Sequence, residues 1–374
     1  MSHTPWPGAH REPLSPRLTL TGPPPGPVRL FLADDSMVIR TLVANWIEHE
    51  PDLELVGVAG DGAAAVQMIA GVQVDVCVLD LEMPVMGGLE AIPKLLRLRP
   101  DMKVLIASRL TRAGAEATLR AFEAGAADCL PKPSASDAHG AEDFRRELLA
   151  KARALGRSNP KGALGAPSRV ARLRPLETTA KIPDILALAA STGGPPALRK
   201  FLEGLPRDFR PPVVIVQHMP AAFIDLLAQQ LTRTSALPVS VAAAGTILEP
   251  GKAYLAPGDH HLRVMRKGDQ LLADIDQGPP ENYCRPAADV LFRSVANACG
   301  ARSLAVVLTG MGRDGWSGAE AITRLGGVVL AQDEASSVVW GMPSGVVEAG
   351  LASVVGPVDR LAQAAVRLAR GQAL

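Results

Sequence analysis

Val28-Arg29-Leu30-Phe31-Leu32-Ala33-Asp34-Asp35-Ser36 sets the architecture: a short, mostly apolar run breaks off into two carboxylates and a hydroxyl. Such a run, bounded by polar residues, reads as a strand buried on both faces, the kind that parallel sheets use. The pattern recurs at Leu53–Val58, Val74–Leu79, Val104–Ala107 and Ala127–Leu130, with helix-like segments between. Strands alternating with helices predict a doubly wound parallel sheet. The rhythm returns at Ile185–Ala190, Val213–Gln217, Leu304–Thr309 and Val328–Gln332, interrupted by an expected hairpin over Leu262–Ile275. The expected fold class is therefore α/β, two doubly wound parallel-sheet domains joined by a linker. In such sheets ligands bind at the carboxyl ends of the strands.

Composition narrows the function. The 374 residues carry 39 Lys+Arg against 38 Asp+Glu, a net charge of +1, so there is no global basic field to hold nucleic acid or an anionic membrane. Aromatic residues at 3% argue against base-stacking platforms. No apolar run approaches a membrane span, and none near the N-terminus reads as a secretory signal. The cysteines, Cys77, Cys129, Cys284 and Cys299, are far apart and form no C-x-x-C, which fits a reducing cytoplasm.

The expected divisions are a disordered Pro-rich tail over 1–27, a first domain over 28–150, a basic linker over 151–181 and a second domain over 182–374. The linker holds eight Lys or Arg and a single acid, Glu177, without interleaved aromatics, so it reads as a solvated tether.

In the first domain, Asp34 and Asp35 follow strand one, Asp80 follows strand three, Ser108 follows strand four and Lys132-Pro133 follows strand five. Three carboxylates within ~4 Å of one another repel by roughly 4 kcal/mol per pair at an effective dielectric of 20, so a counter-cation is expected. Mg²⁺ suits oxygen ligands and keeps waters for a phosphate. Asp80 is then placed to take a phosphoryl group, with Lys132 pairing it. Singly, each of these residues is as readily a helix cap or a surface charge.

In the second domain, strand one runs into Ser191-Thr192-Gly193-Gly194-Pro195-Pro196, a small-x-Ser-x-Gly elbow before a helix. Taken alone, the elbow fits a helix cap slightly better than a nucleophile. Strand two ends in Gln217-His218-Met219-Pro220, placing an imidazole at the same edge. His260 and His261 compete as bases, but they follow Pro257-Gly258-Asp259 in what reads as a surface turn. Near 304 a strand leads into Thr309-Gly310-Met311-Gly312-Arg313-Asp314-Gly315. Asp314 is expected to orient His218, and the Met311 N–H to face a developing oxyanion. A rival reading takes Gly310-x-Gly312-x-x-Gly315 with Asp333 as a dinucleotide fingerprint, in a non-enzymatic adaptor that binds a dinucleotide or a partner. Asp314 inside a pyrophosphate cradle weighs against it.

The first domain resembles the receiver domain of bacterial response regulators through Asp34, Asp35, Asp80, Ser108 and Lys132-Pro133. It departs from that family at Cys129, where an aromatic residue is usual, and at Gly87, where an Asp is common. The second domain resembles the catalytic domain of chemotaxis protein-glutamate methylesterases. The matching strings are Ser191-Thr192-Gly193-Gly194, Gln217-His218-Met219-Pro220, Ala256-Pro257-Gly258-Asp259, Arg285–Phe292, Leu308–Gly315 and Ala331–Ser336, while Glu281-Asn282-Tyr283-Cys284 looks unusual for the family. The resemblance implies a receiver (flavodoxin-like) domain followed by a Rossmann-like methylesterase domain. It implies phosphorylation at Asp80, metal binding by Asp34, Asp35 and Asp80, and a hydroxyl switch at Ser108. It also implies Ser191 as nucleophile, His218 as base and acid, Asp314 as the orienting carboxylate, and Thr192 and Met311 at the oxyanion. The implied activity is phosphorylation-gated demethylation of chemoreceptors, with glutamine deamidation as a related reaction, no cofactor for the esterase step, and the receiver as a lid. The implied partners are methyl-accepting chemoreceptors and a chemotaxis histidine kinase.

Overall fold

The computed structural model describes residues 26–109, 111–133, 140–158, 173–175 and 181–373. The expected tail through residue 25 and most of the expected linker lie outside the described residues.

The first domain alternates β1 (Val28–Ala33), α1 (Met37–Glu48), β2 (Leu53–Ala59), α2 (Gly62–Ile69), β3 (Val76–Asp80), α3 (Gly88–Leu98), β4 (Lys103–Ser108), α4 (Arg112–Glu123), β5 (Asp128–Pro131) and α5 (Gly140–Arg157). Its parallel sheet has the order β2-β1-β3-β4-β5. The order reverses between β1 and β3, which opens a crevice at their carboxyl ends. β3 starts two residues later than the apolar run, because Asp75 is drawn into a forked pair with Arg29: Nε donates to Oδ2 at 3.0 Å and Nη2 to Oδ1 at 2.7 Å.

The second domain begins with β6 (Ile185–Ala190), α6 (Gly194–Glu203), β7 (Val213–Gln217), α7 (Ala221–Thr234), β8 (Val239–Val241) and β9 (Ala253–Leu255). The antiparallel hairpin β10 (His261–Lys267) and β11 (Gln270–Asp276) follows, then α8 (Ala288–Cys299). The chain closes with β12 (Ser303–Val307), α9 (Trp316–Arg324), β13 (Val328–Gln332), α10 (Met342–Glu348), β14 (Val354–Gly356) and α11 (Val358–Ala369). Seven parallel strands run in the order β14-β13-β12-β6-β7-β9-β8, so the crevice lies where β6 meets β12. β8, β9 and β14 have three residues each, too short to register as apolar runs. β12 stops before Thr309, whose backbone N–H is taken by the Gln332 side chain at 2.8 Å.

Lys151, Arg153 and Arg157, counted with the linker on charge alone, stand on α5. Leu148, Leu149, Ala152 and Leu155 make a helical stripe that is buried against the first sheet, so the helix continues through the basic stretch. A single apolar cluster runs from the first domain, including Leu95 and Phe122, into the second, including Leu198 and Leu202. No helix among the described residues is long and apolar enough to cross a membrane.

Candidate active site and acidic pocket

The first sheet gathers Asp34, Asp35, Asp80 and Lys132 at one edge. Oxygens of the three carboxylates lie within 4.8 Å of one another. Lys132 Nζ stands 2.7 Å from Asp34 Oδ2 and 2.6 Å from Asp80 Oδ2. Asp34 Oδ2 is buried and meets the Lys132 ammonium as an ion pair without a hydrogen bond to it. Three carboxylates facing one ammonium keep a net negative charge, an oxygen donor set that fits a hard divalent cation. Burial lifts the Asp80 carboxyl above its usual range, against the pull of Lys132. Ser108, at the end of β4, donates to the Gly114 carbonyl at 3.2 Å, and its own carbonyl accepts from the Lys132 N–H at 2.8 Å. Cys129 is buried, and burial pushes its thiol up to about 12.

On the second sheet, Ser191, His218 and the loop carrying Asp314 leave the carboxyl ends of β6, β7 and β12, three neighbouring strands. Backbone and amide bonds lock these ends together. Ser191 N–H donates to Thr309 O at 3.0 Å and His218 N–H to Ala190 O at 3.0 Å, while Gln217 Nε2 reaches both Ser191 O and His218 O at 3.0 Å. A side chain on Gly194 would place its Cβ 2.0 Å from Gln217 Oε1, and one on Gly310 would come within 2.9 Å of Ser191 Cβ. Glycine at these two positions lets the elbow and the Thr309–Gly315 loop close on each other.

Asp314 is 1% exposed and receives five donors. His218 Nε2 lies 2.8 Å from Oδ2, and the Ala288 N–H donates to the same oxygen at 2.6 Å. Asp289 N–H at 3.0 Å, Gly315 N–H at 3.0 Å and Asn282 Nδ2 at 3.1 Å converge on Oδ1. Two of these amides open α8, where the helix dipole favours an anion. Burial opposes the charge on Asp314, but His218 and the amides outweigh it and hold the carboxyl below its usual range. Burial also opposes charge on His218, and here the hydrogen bonds to Asp314 and Cys284 prevail and hold the imidazole above its usual range.

Of the expected trio, then, His218 and Asp314 are in contact, and Ser191 sits beside the loop that carries Asp314. Among the described residues the Ser191 hydroxyl makes no hydrogen bond; the Nδ1 of His218 faces Cys284 Sγ at 3.6 Å. His261 is not on a surface turn. It is 1% exposed at the start of β10, with Nε2 donating to Pro279 O and Nδ1 accepting from the Ala287 N–H, so it is a satisfied structural residue. Asp333 accepts from Ser336 N and Oγ at 3.0 and 2.5 Å, a local turn.

The two domains meet on the elbow. Thr192 Oγ1 donates to Asp128 Oδ2 at 2.6 Å, Gly193 N–H donates to Ala127 O at 3.0 Å, and Met311, Val338 and Val339 pack against the first domain's core. Sequence reasoning missed Gln217, Asn282, Cys284 and Thr309, whose Oγ1 donates to Thr192 O at 2.9 Å. Their adjacency to the expected residues was the available signal.

Fold and site define a two-domain α/β protein: a pocket of three carboxylates at the edge of one sheet, and a serine elbow and a His–Asp pair at the carboxyl ends of neighbouring strands on the other. The CheB methylesterase family model matches residues 186–365, and the response regulator receiver domain model matches residues 30–139. A protein-glutamate methylesterase/protein-glutamine glutaminase 2 of Caulobacter vibrioides is 47% identical over 339 residues, 89% of this chain and 96% of its own. A protein-glutamate methylesterase/protein-glutamine glutaminase 1 of Rhodospirillum rubrum is 42% identical over 372 residues, 92% of this chain and 96% of its own. The solved CheB methylesterase catalytic domain of Thermotoga maritima aligns with a TM-score of 0.49 at 38% identity, covering 50% of this chain and 98% of that one. The chain belongs to the CheB methylesterase family with an N-terminal receiver domain.

Proposed function

We propose that the chain removes methyl groups from glutamyl methyl esters of chemoreceptors, releasing methanol, and that phosphorylation of its receiver domain by a chemotaxis histidine kinase switches it on. Relatives named for this activity and for glutamine deamidation align with nearly the whole chain. The observation that carries the catalytic reading is the His218–Asp314 pair at 2.8 Å, with its carboxylate fixed by four further donors beside Ser191.

Asp314 fixes Nε2, which leaves Nδ1 as the nitrogen that can exchange protons. In the open enzyme the Ser191 hydroxyl replaces Cys284 at Nδ1. Ser191 Oγ bonds to the ester carbon as its proton passes to Nδ1, and the carbonyl oxygen takes the negative charge. The Met311 N–H and the Thr192 turn face that oxygen. As the carbonyl re-forms, the bond to methoxide breaks, the Nδ1 proton leaves with it as methanol, and Ser191 holds the acyl group. Water then repeats the sequence in reverse roles, returning the serine and a glutamate. An amide carbonyl passes through the same tetrahedral species, which accounts for deamidation of glutamine.

In the receiver, Asp80 is the phosphoacceptor, and Asp34, Asp35 and Asp80 would hold a divalent cation, Mg²⁺, which would supply the positive charge needed to offset that between these carboxylates and a phosphoryl donor. Lys132 pairs the acquired phosphoryl group and Ser108 responds to it. The contacts of Asp128 and Ala127 on Thr192 and Gly193 make the unphosphorylated receiver a lid. Methanol release from methylated receptor, with and without a small phosphodonor and Mg²⁺, tests the scheme. Ser191→Ala is expected to abolish release while the fold and phosphorylation persist; retained release removes Ser191 from the mechanism.

A further inference from the structure

Cys284 is not used by the proposed reaction, yet its thiol faces the imidazole nitrogen that the reaction needs. The turn holding it is anchored on both sides. Glu281 and Cys284 exchange backbone hydrogen bonds, Arg293 clasps the Glu281 carboxylate, and Arg285 pairs with Asp259. The Sγ to Nδ1 separation is 3.6 Å. Zn–S and Zn–N bonds at a tetrahedral angle place sulfur and nitrogen about 3.6 Å apart, so the spacing of this hydrogen-bonded pair also matches that of adjacent ligands of one ion. The far side of the ring is equally prepared. Nε2 donates to Asp314, the carboxylate–histidine arrangement that fixes a metal-binding imidazole and raises its basicity. Asp314 is itself saturated by four other donors, which places it behind the histidine and outside the ion's own shell. Ligand atoms of all three side chains lie within 4.8 Å of one another.

We propose that His218 Nδ1 and Cys284 Sγ form a binding site for a borderline-soft divalent cation, Zn²⁺, and that its occupation holds the esterase off. This second claim rests on the reading of His218 as the base. Binding forms a Zn–S and a Zn–N bond, and the thiol proton, with any proton on Nδ1, goes to solvent. The Nδ1 lone pair is then committed to the ion and cannot take the Ser191 proton. With two protein ligands and water completing the shell, the site is reversible. A thiolate–imidazole pair selects against Mg²⁺, which is confined to the oxygen ligands of the receiver.

The test uses the full, untagged chain with Mg²⁺ saturating the receiver. Co²⁺ is titrated in and the thiolate-to-cobalt charge-transfer absorption is read. Cys77, Cys129 and Cys299 are buried, and Cys284 is the one cysteine that is not, so the band reports on it. The band is expected in the parent protein, absent in Cys284→Ser and Cys284→Ala, and bleached by Zn²⁺. Zn²⁺ is expected to inhibit methanol release, with the half-inhibitory concentration rising at least about tenfold in Cys284→Ser, each rate taken relative to the same protein without Zn²⁺. Ser191→Ala is expected to keep the band, which separates metal binding from the esterase reading. No band in the parent, a band that survives in Cys284→Ser, or equal Zn²⁺ sensitivity of parent and variant overturns the proposal.

Discussion

Thr192 Oγ1 donates to Asp128 Oδ2 at 2.6 Å, a buried hydrogen bond from the residue after the elbow serine to the first residue of the receiver's β5. Lys151 Nζ stands 3.2 Å from the same oxygen, and also pairs with Glu147 at 2.9 Å. A hydrogen bond to a charged acceptor contributes about 1.5–3 kcal/mol, and each 1.4 kcal/mol is about tenfold in an equilibrium. Asp128→Ala removes the acceptor and leaves Lys151 its Glu147 partner. The unphosphorylated rate of methanol release is expected to rise about tenfold or more, with a correspondingly smaller response to phosphodonor. A variant as slow as its parent would show that this bond does not hold the lid.

β5 also links this latch to the acidic pocket. Lys132, the residue after β5, bridges Asp34 and Asp80, and its N–H is held by Ser108 O. A phosphoryl group on Asp80 draws Lys132 to a new partner, four residues from Asp128. Asp80→Asn is therefore expected to bring the ratio of rates with and without phosphodonor to unity while leaving the unphosphorylated rate in place. Chelating Mg²⁺ from the parent is expected to do the same. Activation that survives either treatment sinks the phosphoacceptor assignment.

Much of this arrangement could be read from the chain because both sheets are parallel. Their strands are continuous apolar runs, and the candidate residues of both sites follow where those runs stop, at Asp34, Asp80, Ser191 and His218. Three-residue strands such as β8 and β14 have no such run to read. The charge count at Lys151, Arg153 and Arg157 hid the stripe of Leu148, Ala152 and Leu155 that keeps α5 helical. The pairing of Cys284 with His218 was illegible, since it depends on how a turn 66 residues away folds back over β7. The Thr192–Asp128 bond depends on domain docking, which no local pattern encodes.

The Arg29–Asp75 fork ties the starts of β1 and β3, and the Arg29 N–H adds a third bond to Asp75 Oδ2 at 2.8 Å. Burial alone would raise the Asp75 carboxyl, but Arg29 overrides it and the net shift is downward. A carboxyl with a folded pKa below the unfolded value of about 3.9 stabilises the fold above that value, and the contribution is lost as pH falls through the folded pKa. Asp75→Asn is expected to lower stability by about 1–3 kcal/mol at pH 7. The gap between variant and parent should narrow as the pH is taken below about 4. Urea unfolding monitored on the receiver at several pH values checks this, and a gap independent of pH would deny Asp75 its role.

Asn282 occupies the left-handed region, φ 53°, and its amide bridges two buried carboxylates, Asp289 Oδ2 at 2.9 Å and Asp314 Oδ1 at 3.1 Å. Burial lifts the Asp289 carboxyl above its usual range, so the amide sits where negative charge is hardest to accommodate. Losing a hydrogen bond to a charged group costs about 1.5–3 kcal/mol. Asn282→Ala and Asn282→Gly both remove the bridge, but only alanine must also strain to keep a positive φ, at roughly 1–2 kcal/mol. If the amide acts by positioning Asp314 behind His218, the two variants lose a similar fraction of kcat, about tenfold, while KM for methylated receptor holds. Their melting temperatures should separate, with glycine the more stable. A kcat loss in alanine that glycine restores would instead trace the effect to the backbone of the turn.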